Sequence, residues 1–412
     1  MVYLTTERQD LFDVGMMIAI RIDVSGRASE EQIRDAFDRA VRSHEILGMH
    51  IVIGEDGRAW YEQGRSAQSL SFTDKTQEDI IYREERRRFR LEDGELLRAF
   101  CMGLTADGFS MLFCMHHLGG DGKSLLYFAE TFLKALNGEE PEHTPMRWLD
   151  LGSLPKDSYL PFLGKMLVDS YNRRWSKQRQ IFSFDDMDRA YDTFWSTHRT
   201  YIHEISYDRD ETKELVSQAK SCDVSFTAYI TAVMLSHMAG RRSVGYAVNG
   251  RQDGNRAMGD QATGISIDYA YDVRKSLADN ARRIHRLMRS KLDDPMRKWF
   301  VLHFMGTFDG TLLDAVDLQA AGAYTSPLTR SLADITGYGR KKKDLSITNL
   351  TVADIDTSYG GYTVERVSFI PPAVSYGKNI IGMVTANGRM TVAVHCCEDM
   401  DIKSIMTPHI SQ

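Results

Sequence analysis

His116-His117-Leu118-Gly119-Gly120-Asp121-Gly122 lies between two segments of different periodicity. Ahead of it, Ser110-Met111-Leu112-Phe113-Cys114-Met115 is an apolar run with the length and composition of a buried strand. After it, Lys123 to Leu133 has the spacing of an amphipathic helix. Two histidines are therefore expected where a strand ends, a glycine-rich turn reverses the chain and a helix begins. Neighbouring side chains on an extended backbone point to opposite faces, so His116 and His117 cannot both face one cavity. One is expected to face a substrate and the other to pack inside the fold. Imidazole exchanges protons near neutral pH, which makes the outward-facing ring a candidate general base. The plainer alternative, two histidines satisfied by nearby carbonyls, leaves the aspartate and glycine at fixed offsets unexplained.

The flanking sequence alternates strands and helices. Met16 to Val24 reads as a strand, and Ser29 caps a helix from Glu30 to His44 with Ile33, Phe37 and Val41 on one face. Ile51 to Tyr61 reads as a hairpin turning at Asp56-Gly57. A charged helix over Glu78 to Arg88 and a strand over Leu97 to Leu104 lead into the histidine segment. Between Asn137 and Thr197 the pattern is irregular, apart from an aromatic-rich helix over Tyr159 to Lys177. The second half repeats the plan. It has strands at Arg199–Ser206, Ser243–Asn249 and Ile265–Tyr271, and helices at Asp210–Lys220, Phe226–Ala239, Leu277–Lys291 and Pro295–Phe304. Strands at Leu345–Leu350 and Thr363–Ile370 follow, then a hairpin with Asn387-Gly388 at its turn. The simplest organisation is two similar α/β halves, residues 1–180 and 181–412, with the histidine segment in the first.

Composition narrows the function classes. The chain has 412 residues, 42% apolar and 26% charged, which is ordinary for a globular protein with room for two sizeable cores. A net charge of −6 gives no electrostatic reason to expect nucleic acid as partner. No apolar run is long enough to span a bilayer, and the first residues lack the plan of a signal peptide, so a cytoplasmic location is expected. Cys101, Cys114, Cys222, Cys396 and Cys397 show no metal-ligand spacing and imply no disulfide framework. No metal site is expected. The basic runs Arg86-Arg87-Arg88 and Lys341-Lys342-Lys343 suit either phosphate binding or, more simply, a solvated face.

The chain resembles the condensation-domain and chloramphenicol-acetyltransferase-like superfamily of acyltransferases. Its H-H-x-x-x-D-G motif is matched by His116, His117, Asp121 and Gly122. Ser43-His44-Glu45-Ile46-Leu47 is similar to the family's R-H-E-x-L stretch, and Arg88 to Arg98 to its P-F-D-L-x-x-G-P-L-L-R stretch. Val248 to Gln252 resembles its second-half G-R turn, and Ser346 to Leu350 the S-N-L strand of free-standing members. The chain departs at Met258 to Ile265, which aligns poorly with the N-T-x-P-x-R segment of modular condensation domains, and it lacks the D-F-G-W-G signature of plant acyltransferases. The Gly119-Gly120 pair in the motif's variable positions is expected to widen or loosen the turn.

The resemblance implies an α/β fold of the α+β sandwich type: two acetyltransferase-like subdomains in a V-shaped pseudo-dimer around a central tunnel. It implies that His117 faces the tunnel and handles the proton of the attacking nucleophile. The Gly122 amide would help the developing oxyanion. His116 and Asp121 would be structural, with Arg251 the candidate partner of Asp121. It implies no permanently bound cofactor, the co-substrate being an acyl-phosphopantetheine on a carrier protein or an acyl coenzyme A, with no residues assigned to hold it. The expected activity is that of a stand-alone enzyme of natural-product biosynthesis, of the kind met in nonribosomal peptide synthesis. It would move an acyl or aminoacyl group from a carrier-protein partner to a small-molecule amine. Ester formation on an alcohol from acyl coenzyme A is the alternative. A non-catalytic recruitment module and an epimerase are disfavoured, the first by the retained His117 and the second by the missing module context.

Overall fold

Long apolar runs interrupted by glycine turns build two six-stranded sheets. The computed structural model describes residues 1–406 apart from 253, 341, 374–376, 400 and 401. In the first sheet the strands run in the order Ser358–Tyr359, Tyr362–Ile370, Met17–Ser25, Gly108–His116, Leu97–Met102, Ser69–Thr73. Its central strands are buried on both faces, which is why they read as unbroken apolar runs rather than as alternating ones. Met17–Ser25 pairs antiparallel with Gly108–His116, setting Met17 opposite His116. The helices Glu30–Ser43 and Gly122–Leu136 pack together, with Phe37, Phe113 and Phe128 meeting edge to face. The Ser29 hydroxyl accepts from the Gln32 amide and the Gln32 side chain returns to the Ser29 amide, completing the expected cap.

The second sheet runs Ala262–Ala270, Arg241–Asn249, Leu345–Val352, Asn379–Ala386, Arg389–Cys396, Tyr201–Tyr207. The helices Phe226–Ser236 and Leu277–Leu292 share one hydrophobic core with it. Asn387 and Gly388 both have positive φ, 48° and 73°, as a two-residue type I′ hairpin turn requires. A small sheet of Val2–Tyr3, Ala59–Gln63 and Met49–Ile53 accompanies the first half.

Sheet membership does not follow the expected division at residue 180. Tyr362–Ile370 crosses back and pairs with Met17–Ser25. The helices Gly310–Ala320 and Pro327–Thr336 join the first half's core through Leu312, Leu313, Val316 and Leu332. The two sheets meet along this returning strand. Thr391 Oγ1 donates to Val367 O at 2.8 Å, and a Cβ on Gly382 would lie 2.4 Å from Phe369 O, so only glycine permits that approach.

Three helices were not legible from periodicity. Gly310–Ala320 is buried on nearly every side, so it has no polar stripe. Pro327–Thr336 and Phe184–Thr197 do carry start signals, a serine cap followed by proline and the Ser183/Asp186 capping box. The expected charged helix to Arg88 ends earlier, at Glu84. Arg98, fully buried, explains the early stop: its guanidinium takes up the carbonyls of Glu84, Arg87 and Arg88. Of Arg86-Arg87-Arg88, Arg87 lies on a solvated face, and all three are ion-paired. Arg86 pairs with Glu85, Arg87 with Glu84 and Glu95, and the buried Arg88 with Glu92 and Asp188. Lys341 lies outside the described residues. Cys101 and Cys114 are buried, while adjacent Cys396 and Cys397 are buried and exposed respectively. Among the described residues no helix is long and apolar enough to cross a membrane.

Candidate active site

His116 closes the strand Gly108–His116, and its ring is turned into the protein. Nδ1 accepts from the Leu118 amide at 3.2 Å, and the Phe89 ring stands edge-on at 5.8 Å. Phe89 in turn carries the Arg98 guanidinium 3.9 Å above its ring. The Arg88–Arg98 stretch therefore acts as the floor beneath the first histidine. Burial, with the nearby charges of His117, Arg98 and Arg88, pushes the His116 imidazole down to about 3, so it is neutral at physiological pH.

His117 begins a single 3-10 turn, His117–Gly119, that takes the chain off the sheet. Its amide donates to Met16 O at 2.9 Å, and its carbonyl accepts from the Gly120 amide at 2.9 Å. Its side chain keeps 18% of its surface exposed, against 2% for residue His116 as a whole. One histidine thus packs and the other remains reachable.

The glycine pair does not loosen this turn. Gly120 has φ +139°, and a Cβ there would lie 2.5 Å from the Ser124 Cβ and 3.1 Å from the Gly259 amide. A Cβ on Gly119 would meet the Met115 side chain at 2.8 Å. Gly120 is instead a condition for a tight fit between the turn, the following helix and the second half, and Gly119 packs against Met115 of the preceding strand. Gly122 opens the helix Gly122–Leu136, and a side chain there would run into Phe369 and Leu350.

Asp121 caps that helix, its Oδ1 accepting from the Ser124 amide at 2.9 Å. It also receives Arg251 in a bidentate grip, Nη1 to Oδ2 at 2.5 Å and Nη2 to Oδ1 at 2.8 Å. The Gln261 amide adds a further bond to Oδ2 at 3.1 Å. Burial opposes the charge on Asp121, but Arg251 and these amides outweigh it and hold the carboxyl below its usual range. Ser124 Oγ accepts from Arg251 and donates to Gly259 O at 2.8 Å. This network carries the loop between Arg241–Asn249 and Ala262–Ala270 onto the histidine turn.

Two carboxylates that no motif announced complete the site. Asp10 ends the 3-10 turn Thr6–Asp10, and Asp260 sits in the docked loop, with Leu149 N donating to its carbonyl at 3.2 Å. His117 Nδ1 lies 3.7 Å from Asp10 Oδ2 and 3.7 Å from Asp260 Oδ2. These donor groups form the one His/Cys/Asp/Glu cluster within 4.8 Å of one another among the described residues. Burial works against a charged imidazole at His117, yet Asp260, Asp10 and the more distant Asp121 prevail and raise its pKa above the ordinary value. Burial also pushes the carboxyls of Asp10 and Asp260 upward, against the pull of His117. Beside the turn that carries Asp10 opens a cavity of about 520 Å³, lined among others by Thr5, Arg8, Trp148, Met305, Phe308 and Leu313.

A neutral buried histidine, a partly exposed one flanked by carboxylates, and an aspartate–arginine brace form a site suited to taking a proton from a nucleophile. Residues 13–150 match the family model of the Condensation domain. Similar solved structures span nearly the whole chain. Polyketide synthase associated protein 5 from Mycobacterium tuberculosis has 13% identity and a TM-score of 0.61, covering 98% of this chain and 94% of that one. The first condensation domain of the CDA synthetase has 11% identity and a TM-score of 0.59, covering 95% and 87%. TRI3 trichothecene 15-O-acetyltransferase from Fusarium sporotrichioides has 11% identity and a TM-score of 0.62, covering 96% and 90%. No curated protein sequence matches the chain. The chain therefore has the fold of the condensation domains and the acetyltransferase it is similar to, and residues 13–150 carry the likeness in sequence.

Proposed function

We propose that the protein is a condensation-type acyltransferase that moves an acyl or aminoacyl group from a pantetheine thioester on a carrier protein to an amine. The observation that carries this reading is His117. It is a partly exposed imidazole at a strand end, flanked by carboxylates, on a turn braced by Asp121 and Arg251. In the reaction, the amine nitrogen attacks the thioester carbonyl while His117 accepts its proton. Collapse of the tetrahedral intermediate forms the amide and releases the pantetheine thiol, protonated by the same imidazole. Gly122 is the proposed oxyanion donor, since the first amides of a helix have no intrahelical acceptor. His116 and Asp121 hold the turn and make no contact with the reacting atoms.

The test is direct. Purified protein is offered acyl groups of increasing length on a pantetheine analogue, together with a panel of primary amines, and products are read by mass spectrometry. Amide formation that disappears in His117→Ala is the expected result. Ester formation with hydroxyl acceptors would move the reading to O-acyl transfer. Equal product with parent and His117→Ala would overturn it.

A further inference from the structure

We infer that Asp10 and Asp260 are positioning residues for His117, one carboxylate from each half of the molecule, which keep Nδ1 protonated and leave Nε2 free as the base. This rests on the reading of His117 as the proton-accepting group. The geometry points to it in three ways. Both carboxylates face the same ring nitrogen at the same 3.7 Å. Asp10 Oδ2 and His117 Nδ1 are buried atoms without a hydrogen-bond partner among the described residues, so each is left for the other. A closing movement of roughly 0.8 Å would bring either contact to hydrogen-bonding distance, and such contacts in unliganded sites commonly tighten when substrate binds.

The arrangement also joins catalysis to assembly. Asp10 belongs to the N-terminal turn and Asp260 to the loop delivered by the Arg251–Asp121 brace. The imidazole is thus fully oriented only when the second half is docked on the first.

His116 on the same turn is neutral. Asp121 is consumed by Arg251. Glu7 on the N-terminal turn is pushed upward by burial, as Asp10 itself is. Arg8 on that turn is paired with Asp314. Tyr61 on the neighbouring hairpin donates its hydroxyl to Leu118 O at 2.9 Å. Asp10 and Asp260 are the carboxylates that lie against the ring nitrogen, with Asp121 acting from farther away.

The experiment is a pH titration of His117 by nitrogen-15 NMR of the imidazoles in the full chain, with His117→Ala to assign the signal. It is run on the parent, Asp10→Asn and Asp260→Asn. The parent is expected to show the tautomer protonated on Nδ1. Each variant is expected to titrate at a pH lower by roughly one unit or more, as loss of a charge within 4–6 Å of a titrating group predicts. The acid limb of kcat/KM should move down by the same amount, a change that a merely structural role does not produce. If Asp10→Asn does not fold, Asp260→Asn alone decides. A signal that titrates at the parent's pH in a folded variant, or a parent ring protonated on Nε2, would overturn the inference. A shifted titration in a protein that transfers no acyl group would keep the pairing and defeat the acyltransferase reading instead.

Discussion

Arg251 reaches from the second half of the chain to Asp121 in the first, making two hydrogen bonds of 2.5 and 2.8 Å to one buried carboxylate. Only 3% of the Arg251 side chain and 8% of the Asp121 side chain are exposed. Removing either partner strands the other's charge in a dry environment, which costs about 3–5 kcal/mol. Asp121 additionally caps the helix Gly122–Leu136. Asp121→Ala is therefore expected to lower stability by several kcal/mol, measured by urea unfolding, and His117→Ala by much less. Indistinguishable transitions for the two variants would refute the structural role of the aspartate.

His117→Ala addresses chemistry rather than stability. The ring is partly exposed and its carboxylate contacts are longer than hydrogen bonds, so the fold has little to lose. Loss of a general base typically lowers turnover about a hundred- to ten-thousand-fold. Turnover near the parent's, measured on whichever donor and acceptor pair the parent uses, would remove His117 from the proton-handling role.

The tight histidine turn makes its own prediction. At φ +139°, with Ser124 and Gly259 packed against it, Gly120 has no room for a methyl group. Gly120→Ala should cost about 1–3 kcal/mol from backbone strain alone. It should also disturb Ser124 Oγ, which joins Arg251 to Gly259. A variant as stable as the parent would show that the turn yields easily.

His44 offers a test of stability against pH away from the site. It is buried, with Nδ1 2.8 Å from Ala40 O and the ring against Phe128, and burial lowers its pKa to about 4. An unfolded histidine titrates near 6.5. The unfolded state therefore binds the extra proton first. The stabilising contribution is full above about pH 6.5 and is lost as pH falls, at about 1.4 kcal/mol per pH unit, until the folded group titrates near 4. Replacing His44 by Gln should flatten the slope of stability against pH by about that amount between pH 6.5 and 4. Parallel slopes for parent and variant would refute it.

What the sequence disclosed and withheld follows from how local each signal is. The strand–turn–helix around His116, the Ser29 cap and the Asn387-Gly388 turn are written in adjacent residues, and each is found in place. Arg251 was named as partner of Asp121 through the family resemblance, and the two side chains do meet. Asp10 and Asp260 left no such trace. Each lies more than about a hundred residues from His117, and an isolated aspartate in a polar stretch looks like any other until the chain is folded. The crossing of Tyr362–Ile370 into the first sheet was hidden for the same reason. Strand pairing between distant segments depends on three-dimensional closure, and a strand's own pattern does not specify its partner.

The donor is the last point on which the residues bear. A pantetheine arm must bring its thioester to His117. The stretches most similar to condensation domains are those that frame this histidine. His44 packs against Phe128 of the helix that follows the turn, and Phe89 stands edge-on beneath His116. Of the two basic runs that suit a phosphate grip, Arg86 to Arg88 is engaged by Glu84, Glu85, Glu92, Glu95 and Asp188. It is therefore poorly placed to hold the phosphates of coenzyme A. An acylated carrier protein is accordingly expected to be the better donor than the matching acyl coenzyme A. The measurement is a comparison of rate constants, by mass spectrometry, for one acyl group presented on both carriers to the same amine. A higher rate from the carrier protein is the expected outcome. Efficient transfer from coenzyme A, with none from carrier proteins encoded beside the gene, would refute the preference and favour an acyl coenzyme A-dependent transferase.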